Sequence, residues 1–79
     1  MAERRARLRT ASDLGLVIQQ ARLSRGLSQT QLADSLGISQ RSVSEIESGR
    51  TTIYARRLFD LMRETGVSLS AEWDDEADS

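Results

Sequence analysis

The chain has 79 residues, 11 cations against 12 acids, and neither histidine nor cysteine. That length supports one small domain, and the two missing residue types remove the usual neutral-pH base, the commonest metal ligand, thiolate sites and disulfides. The sequence therefore gives catalysis no foothold and implies no cofactor, and no apolar run approaches the ~18 residues of a membrane span.

The net charge of −1 hides an asymmetry. Residues 1–10 carry Arg4, Arg5, Arg7 and Arg9 against Glu3, a charge of +3. Residues 72–78 carry Glu72, Asp74, Asp75, Glu76 and Asp78 with no cation, a charge of −5, which leaves residues 1–71 at +4. The two ends must be read separately. Every cation is arginine, a residue suited to planar, bidentate contacts.

Residues 1–11 read as a flexible basic arm; no apolar segment follows to make it a secretion signal. Three readings of the arm stay open: inert, reaching DNA phosphate or minor groove, or touching a protein. Ser12 is a candidate N-cap for a first helix, with Asp13 near its positive end. Leu14, Val17, Ile18 and Ala21 then form an apolar stripe, and Gly26 ends the helix. Ser28 and Gln31 make a capping box for a second helix, which turns Leu32, Ala33 and Leu36 inward and stops at Gly37. Ser39 caps a third helix, with Val43 and Ile46 as its apolar positions and Gly49 at its end. A fourth begins near Thr51 or Thr52, carries Leu58, Leu61 and Met62 inward, and stops at Gly66.

After Gly66 the period changes. Val67, Leu69, Ala71 and Trp73 alternate with Ser68, Ser70, Glu72 and Asp74, which predicts a strand with one apolar face. No other segment reads as a strand, so its pairing partner is an open question. Residues 74–79 form an acidic tail, a solvating feature or a contact for a basic partner.

The segment "LSQTQLADSLGISQRSVSEIESGR", Leu27 to Arg50, carries the chemistry. Two short capped helices meet at a tight turn through Gly37. On the second, Val43 and Ile46 face one way, while Gln40, Arg41, Ser44, Glu45 and Ser48 occupy the opposite arc. A short, polar, hydrogen-bonding face of this kind suits the DNA major groove. Gln can pair an adenine edge and Arg a guanine edge, each bidentately. Gln40, Arg41, Ser44 and Glu45 are thus the expected base contacts, with Glu45 either accepting from cytosine or repelling phosphate at wrong sequences. Gln29, Ser39, Ser42, Ser48, Arg50, Thr51 and Thr52 are the expected phosphate contacts.

This segment resembles the helix-turn-helix of the phage-repressor-like family (lambda, Cro and xenobiotic-response-element type). The likeness rests on Arg22, "GLSQ" at Gly26–Gln29, "LA" at Leu32–Ala33, "LGIS" at Leu36–Ser39 and "SEIESGR" at Ser44–Arg50. It implies a mainly α, four-helix DNA-binding domain over residues 12–66 that binds a palindromic double-stranded operator as a homodimer. It also implies an ion pair between Arg22 and Glu47. The continuation "GRTTIYARRLFDLMRETGVSLSAEW" resembles the HipB-type antitoxins. That likeness implies a dimerisation strand, residues 67–73, pairing with its mate through Val67, Leu69, Ala71 and Trp73. It further implies a repressor that binds its own operator and restrains a HipA-type serine/threonine kinase toxin in the bacterial cytoplasm, on the nucleoid when bound. Two alternatives stand beside it: a stand-alone repressor of a phage or mobile element, and a protein-interaction module that does not read DNA. Trp73 is either a packing residue or an anchor for a partner.

Overall fold

The computed structural model describes residues 2–75. The order is β1 (Ala2–Leu8), α1 (Ala11–Ser24), α2 (Gln29–Leu36), α3 (Gln40–Glu47), α4 (Ile53–Thr65) and β2 (Leu69–Asp75). All four helices close in the same way. Gly26, Gly37, Gly49 and Gly66 take positive φ. In each case the next residue's N–H reaches back to the last helical turn: Leu27 to Arg22, Ile38 to Ala33, Arg50 to Glu45 and Val67 to Met62. These are Schellman ends, which satisfy carbonyls a helix would otherwise leave bare.

The helix starts are equally local. Ser28 and Gln31 form the expected capping box, and Ser39 and Thr52 cap α3 and α4. At α1 the cap is Thr10, not Ser12: its hydroxyl accepts from the Asp13 N–H, while the Asp13 carboxylate accepts from the Thr10 N–H. Ser12 serves another purpose. A Cβ at Gly49 would sit 2.7 Å from the Ser12 hydroxyl, so the end of α3 lies tight against the start of α1. At Gly15 a Cβ would run into the Ile46 carbonyl oxygen, so α1 and α3 touch backbone to backbone there.

The arm expected to be flexible is a strand. Residues 2–8 pair antiparallel with β2, from Ala2 opposite Asp75 to Leu8 opposite Leu69. The pairing partner of the C-terminal strand within this chain is thus the chain's own N-terminus, and the strand spans 69–75 where 67–73 was expected. The physical reason is the charge asymmetry of the sequence. Arg4 meets Asp75 at 2.8 Å and Arg5 meets Glu72 at 3.1 Å. Opposite residues share a face, so Ala6, Leu8, Leu69, Ala71 and Trp73 line one side of the ribbon. β2 packs on α1, and Leu8 is buried. A two-stranded ribbon alone is marginal; this one rests on the bundle. Of the expected acidic tail, Asp74 and Asp75 belong to β2, and residues 76–79 lie outside the described residues.

Among the described residues the core is small: Leu8, Ala33, Val43 and Phe59, with Arg22 and Glu47 buried beside them. α4 departs from expectation. Phe59 is its buried residue, while Leu58 and Leu61 are 49% and 61% exposed. The apolar arc of α4 is wider than one contact surface, and the core takes only the side holding Ala55, Phe59 and Met62. Leu36 and Ile46 likewise face outward.

Candidate nucleic-acid interface

The short turn through Gly37 brings the first turns of α2 and α3 together. Gln29 opens α2 and Gln40 opens α3, and the Gln40 amide donates to Gln29 Oε1 at 2.6 Å. Gln29 Nε2 in turn donates to Glu47 Oε1 at 3.0 Å. Glu47 is gripped from the other side by Arg22, through Nε at 2.6 Å and Nη2 at 2.9 Å. The remaining Nη1 donates to the Leu27 carbonyl at 2.7 Å. One hydrogen-bonded chain therefore runs from a buried ion pair linking α1 to α3, through α2, to the first residue of the polar face. The family resemblance implied the Arg22–Glu47 pair; the links from Glu47 through Gln29 to Gln40 were missed. Their only trace is that two glutamines occupy the first positions of consecutive capped helices.

The ion pair is buried, with 8% and 2% of the two side chains exposed. Hydrogen bonding to Arg22 holds the Glu47 carboxyl below its usual range against desolvation, and Gln29 adds to the effect. The same bond raises the Arg22 guanidinium above its usual value. Bidentate geometry is what makes such a burial tolerable.

The polar arc of α3 faces solvent. Arg41 is 83% exposed, and its Nε donates to Glu45 Oε1 at 2.9 Å, one turn along. That bond uses Nε, and the two terminal nitrogens are the donors a guanine O6/N7 edge takes. Glu45 thus acts first on Arg41. Gln40 keeps its amide oxygen and a second amide hydrogen beyond the bond to Gln29, which matches an adenine edge. Ser44 is half-buried on the same helix.

The expected phosphate contacts divide into two groups. Ser42, Arg50, Thr51 and Thr52 line a common groove of about 330 Å³ together with Glu45 and Ile46. Ser39 sits at the opposite end of α3, where its hydroxyl caps the Ser42 N–H and lies 2.9 Å from the Ser42 hydroxyl. Ser48 is the C-cap of α3, with its hydroxyl donating to the Glu45 carbonyl at 3.1 Å. The Thr52 hydroxyl caps α4 by accepting from the Ala55 N–H, a bond that leaves its own O–H as a donor. The arm arginines Arg4 and Arg5 are engaged with Asp75 and Glu72. Of the expected dimer-strand residues, Val67 precedes β2, and Leu69, Ala71 and Trp73 lie within it.

A helix-turn-helix family model matches residues 18–71, more than half of the chain. No curated protein and no solved structure matches. No helix among the described residues is long and apolar enough to cross a membrane.

Proposed function

We propose a function from one premise: the chain belongs to the helix-turn-helix family and is a DNA-binding transcription regulator. In this reading α3 enters the major groove of an operator. Arg41 takes a guanine, Gln40 takes an adenine, and Ser44 closes against a neighbouring base. The groove between α3 and α4 receives backbone phosphate through Arg50, Thr51 and Ser42, with Gln29, Ser39, Ser48 and Thr52 meeting phosphates at the two ends of the motif. The observation that carries the reading is the side-chain chain Arg22–Glu47–Gln29–Gln40, which presets a reading residue from the core. Preset side chains lose less freedom on binding.

The finer part of the proposal is that the protein is a cytoplasmic repressor. It binds a palindromic operator as a homodimer, with half-sites about 34 Å apart. Its role is that of a HipB-type antitoxin restraining a HipA-type kinase. That role rests on the resemblance of Gly49–Trp73 alone. Co-purification from the native host, with identification of any bound kinase, tests it; a repressor recovered free of any kinase favours the stand-alone alternative.

Selection from a random pool of DNA duplexes tests the DNA reading. The expected result is an enriched palindrome whose binding weakens steeply with salt. Retention of no DNA at all, even at low salt, supports the protein-interaction alternative and contradicts the proposal.

A further inference from the structure

The ionic ladder of the ribbon stops short of its inner end. Arg4 and Arg5 meet Asp75 and Glu72, but Arg7 stands opposite Ser70, and Arg9 follows beyond the last pair, Leu8 with Leu69. Both arginines are exposed, and neither has a carboxylate partner among the described residues. They border a groove of about 350 Å³ that lies between the end of β1, α4 and the residues 66–68 leading into β2.

The groove joins a cationic rim to an apolar floor. Leu8 and Phe59 are its most buried lining residues, 6% and 7% exposed, with Met62 and Val67 beside them. Val67 is held in place by the bond from its N–H to the Met62 carbonyl, yet remains 55% exposed. Arg63 completes the rim. Its Nη1 donates to the Arg9 carbonyl at 2.8 Å, which ties α4 to the end of β1, and its charge is met by Asp60. Among the described residues no acid lines the groove, so Arg7 and Arg9 leave two positive charges uncompensated beside apolar surface. Glu76 and Asp78 do not supply the missing acid. They follow Asp75, six positions along β2 from Leu69 and ~20 Å away, farther than residues 76–79 reach at ~3.5 Å each.

We propose that this groove docks an acidic segment of a partner protein, with one apolar side chain seated on Val67 and Met62 and flanking carboxylates on Arg7 and Arg9. Charge complementarity selects the occupant. A phosphate backbone would satisfy the arginines but leave the apolar floor unused. An uncharged apolar peptide would desolvate two guanidiniums without pairing them, whereas a carboxylate pairs each bidentately. The volume lies at the low end of the ~300–1,000 Å³ of ligand-sized sites, which suits a single anchored side chain. The site is at the C-terminal end of α4. The groove with Thr51 and Thr52 is at its N-terminal end, and the 13 residues of α4 put ~20 Å between the two. A partner held here leaves α3 free to engage DNA. The inference goes beyond the DNA reading and does not rest on it.

The experiment is selection from a random peptide library displayed on phage, against the full chain without DNA. The expected result is enrichment of peptides that share an apolar residue flanked by Asp or Glu. The best peptide, synthesised and labelled, is then titrated by fluorescence anisotropy against the wild type and variants, with circular dichroism to verify folding. Arg7→Glu/Arg9→Glu alters exposed side chains and is expected to weaken binding about tenfold or more, as is Val67→Glu. Serine in place of the peptide's apolar residue is expected to weaken binding as well, and an excess of random-sequence DNA duplex to leave the peptide bound. Failure to enrich any peptide, or enrichment of neutral or basic ones, overturns the proposal. So does a peptide that binds the variants as tightly as the wild type. Displacement by the duplex would assign the arginines to DNA phosphate, and equal binding of the serine peptide would reduce the site to bare charge; either result also overturns it.

Discussion

Two ion-pair arrangements hold this chain together, and they differ in depth and in task. Arg22 and Glu47 are buried, bidentate and tied onward to Gln29 and Gln40. Arg4–Asp75 and Arg5–Glu72 cross the β1–β2 ribbon, with both arginines and Glu72 more than half exposed. The buried pair costs desolvation that its attraction only partly offsets, so its value lies in fixing one geometry. The ribbon pairs are cheap to form and cheap to lose. The contrast separates what positions α3 from what closes the chain's two ends.

Breaking the buried pair gives the largest effect. Arg22→Ala leaves Glu47 buried without its cation and is expected to cost about 3–5 kcal/mol, comparable to the whole stability of a small domain; urea denaturation reads it. Replacing both partners sharpens the comparison. Arg22→Met/Glu47→Leu is expected to keep the fold within about 1–2 kcal/mol. It should still lose operator discrimination, because Gln29 no longer has Glu47 behind it. A double variant that discriminates normally would make the pair structural only.

Acid acts on the same pair. The carboxyl of Glu47 is held below its ordinary value, chiefly by Arg22. Its stabilising contribution is therefore complete above the usual carboxylate value of ~4.3, and it is lost as pH falls through the depressed folded value. Glu47→Gln is expected to be less stable at neutral pH and to flatten this acid limb in pH-dependent unfolding. Arg22 stays charged throughout.

Smaller effects follow on the surface. Arg41→Ala is expected to cost about 1–3 kcal/mol at one base pair and to relax the preference there; equal loss at every sequence would make Arg41 a phosphate contact. Smallest is the ribbon: Arg5→Ala or Glu72→Ala is expected to change stability by less than about 1 kcal/mol.

Legibility in the sequence follows the range of the interactions. The helix ends at Ser28, Ser39, Gly37 and Gly66 are set by neighbours three or four residues away, and they could be read directly. Thr10 was missed because Asp13 completes a capping box with it as well as sitting within the first turn from Ser12. β1 was missed for a longer-range reason. "AERRARL" has weak strand propensity, and its alternation is broken by Arg4 on the apolar face. Only the complementary charge of a segment some seventy residues on marks it as a strand. Leu58 and Leu61 were read as inward because an apolar arc broad enough for two surfaces looks, in sequence, like a deep single one. The residues proposed to read DNA were legible as types, whereas the relay behind Gln40 needs three helices in place.

The central claim is that α3 reads DNA with a face preset by the core. Operator selection with the wild-type chain and with the double variant Arg22→Met/Glu47→Leu, both verified as folded, tests it most directly. The account predicts a sharp palindrome for the wild type and degenerate positions under Gln40 for the variant. Identical, equally sharp sites for both proteins would contradict it.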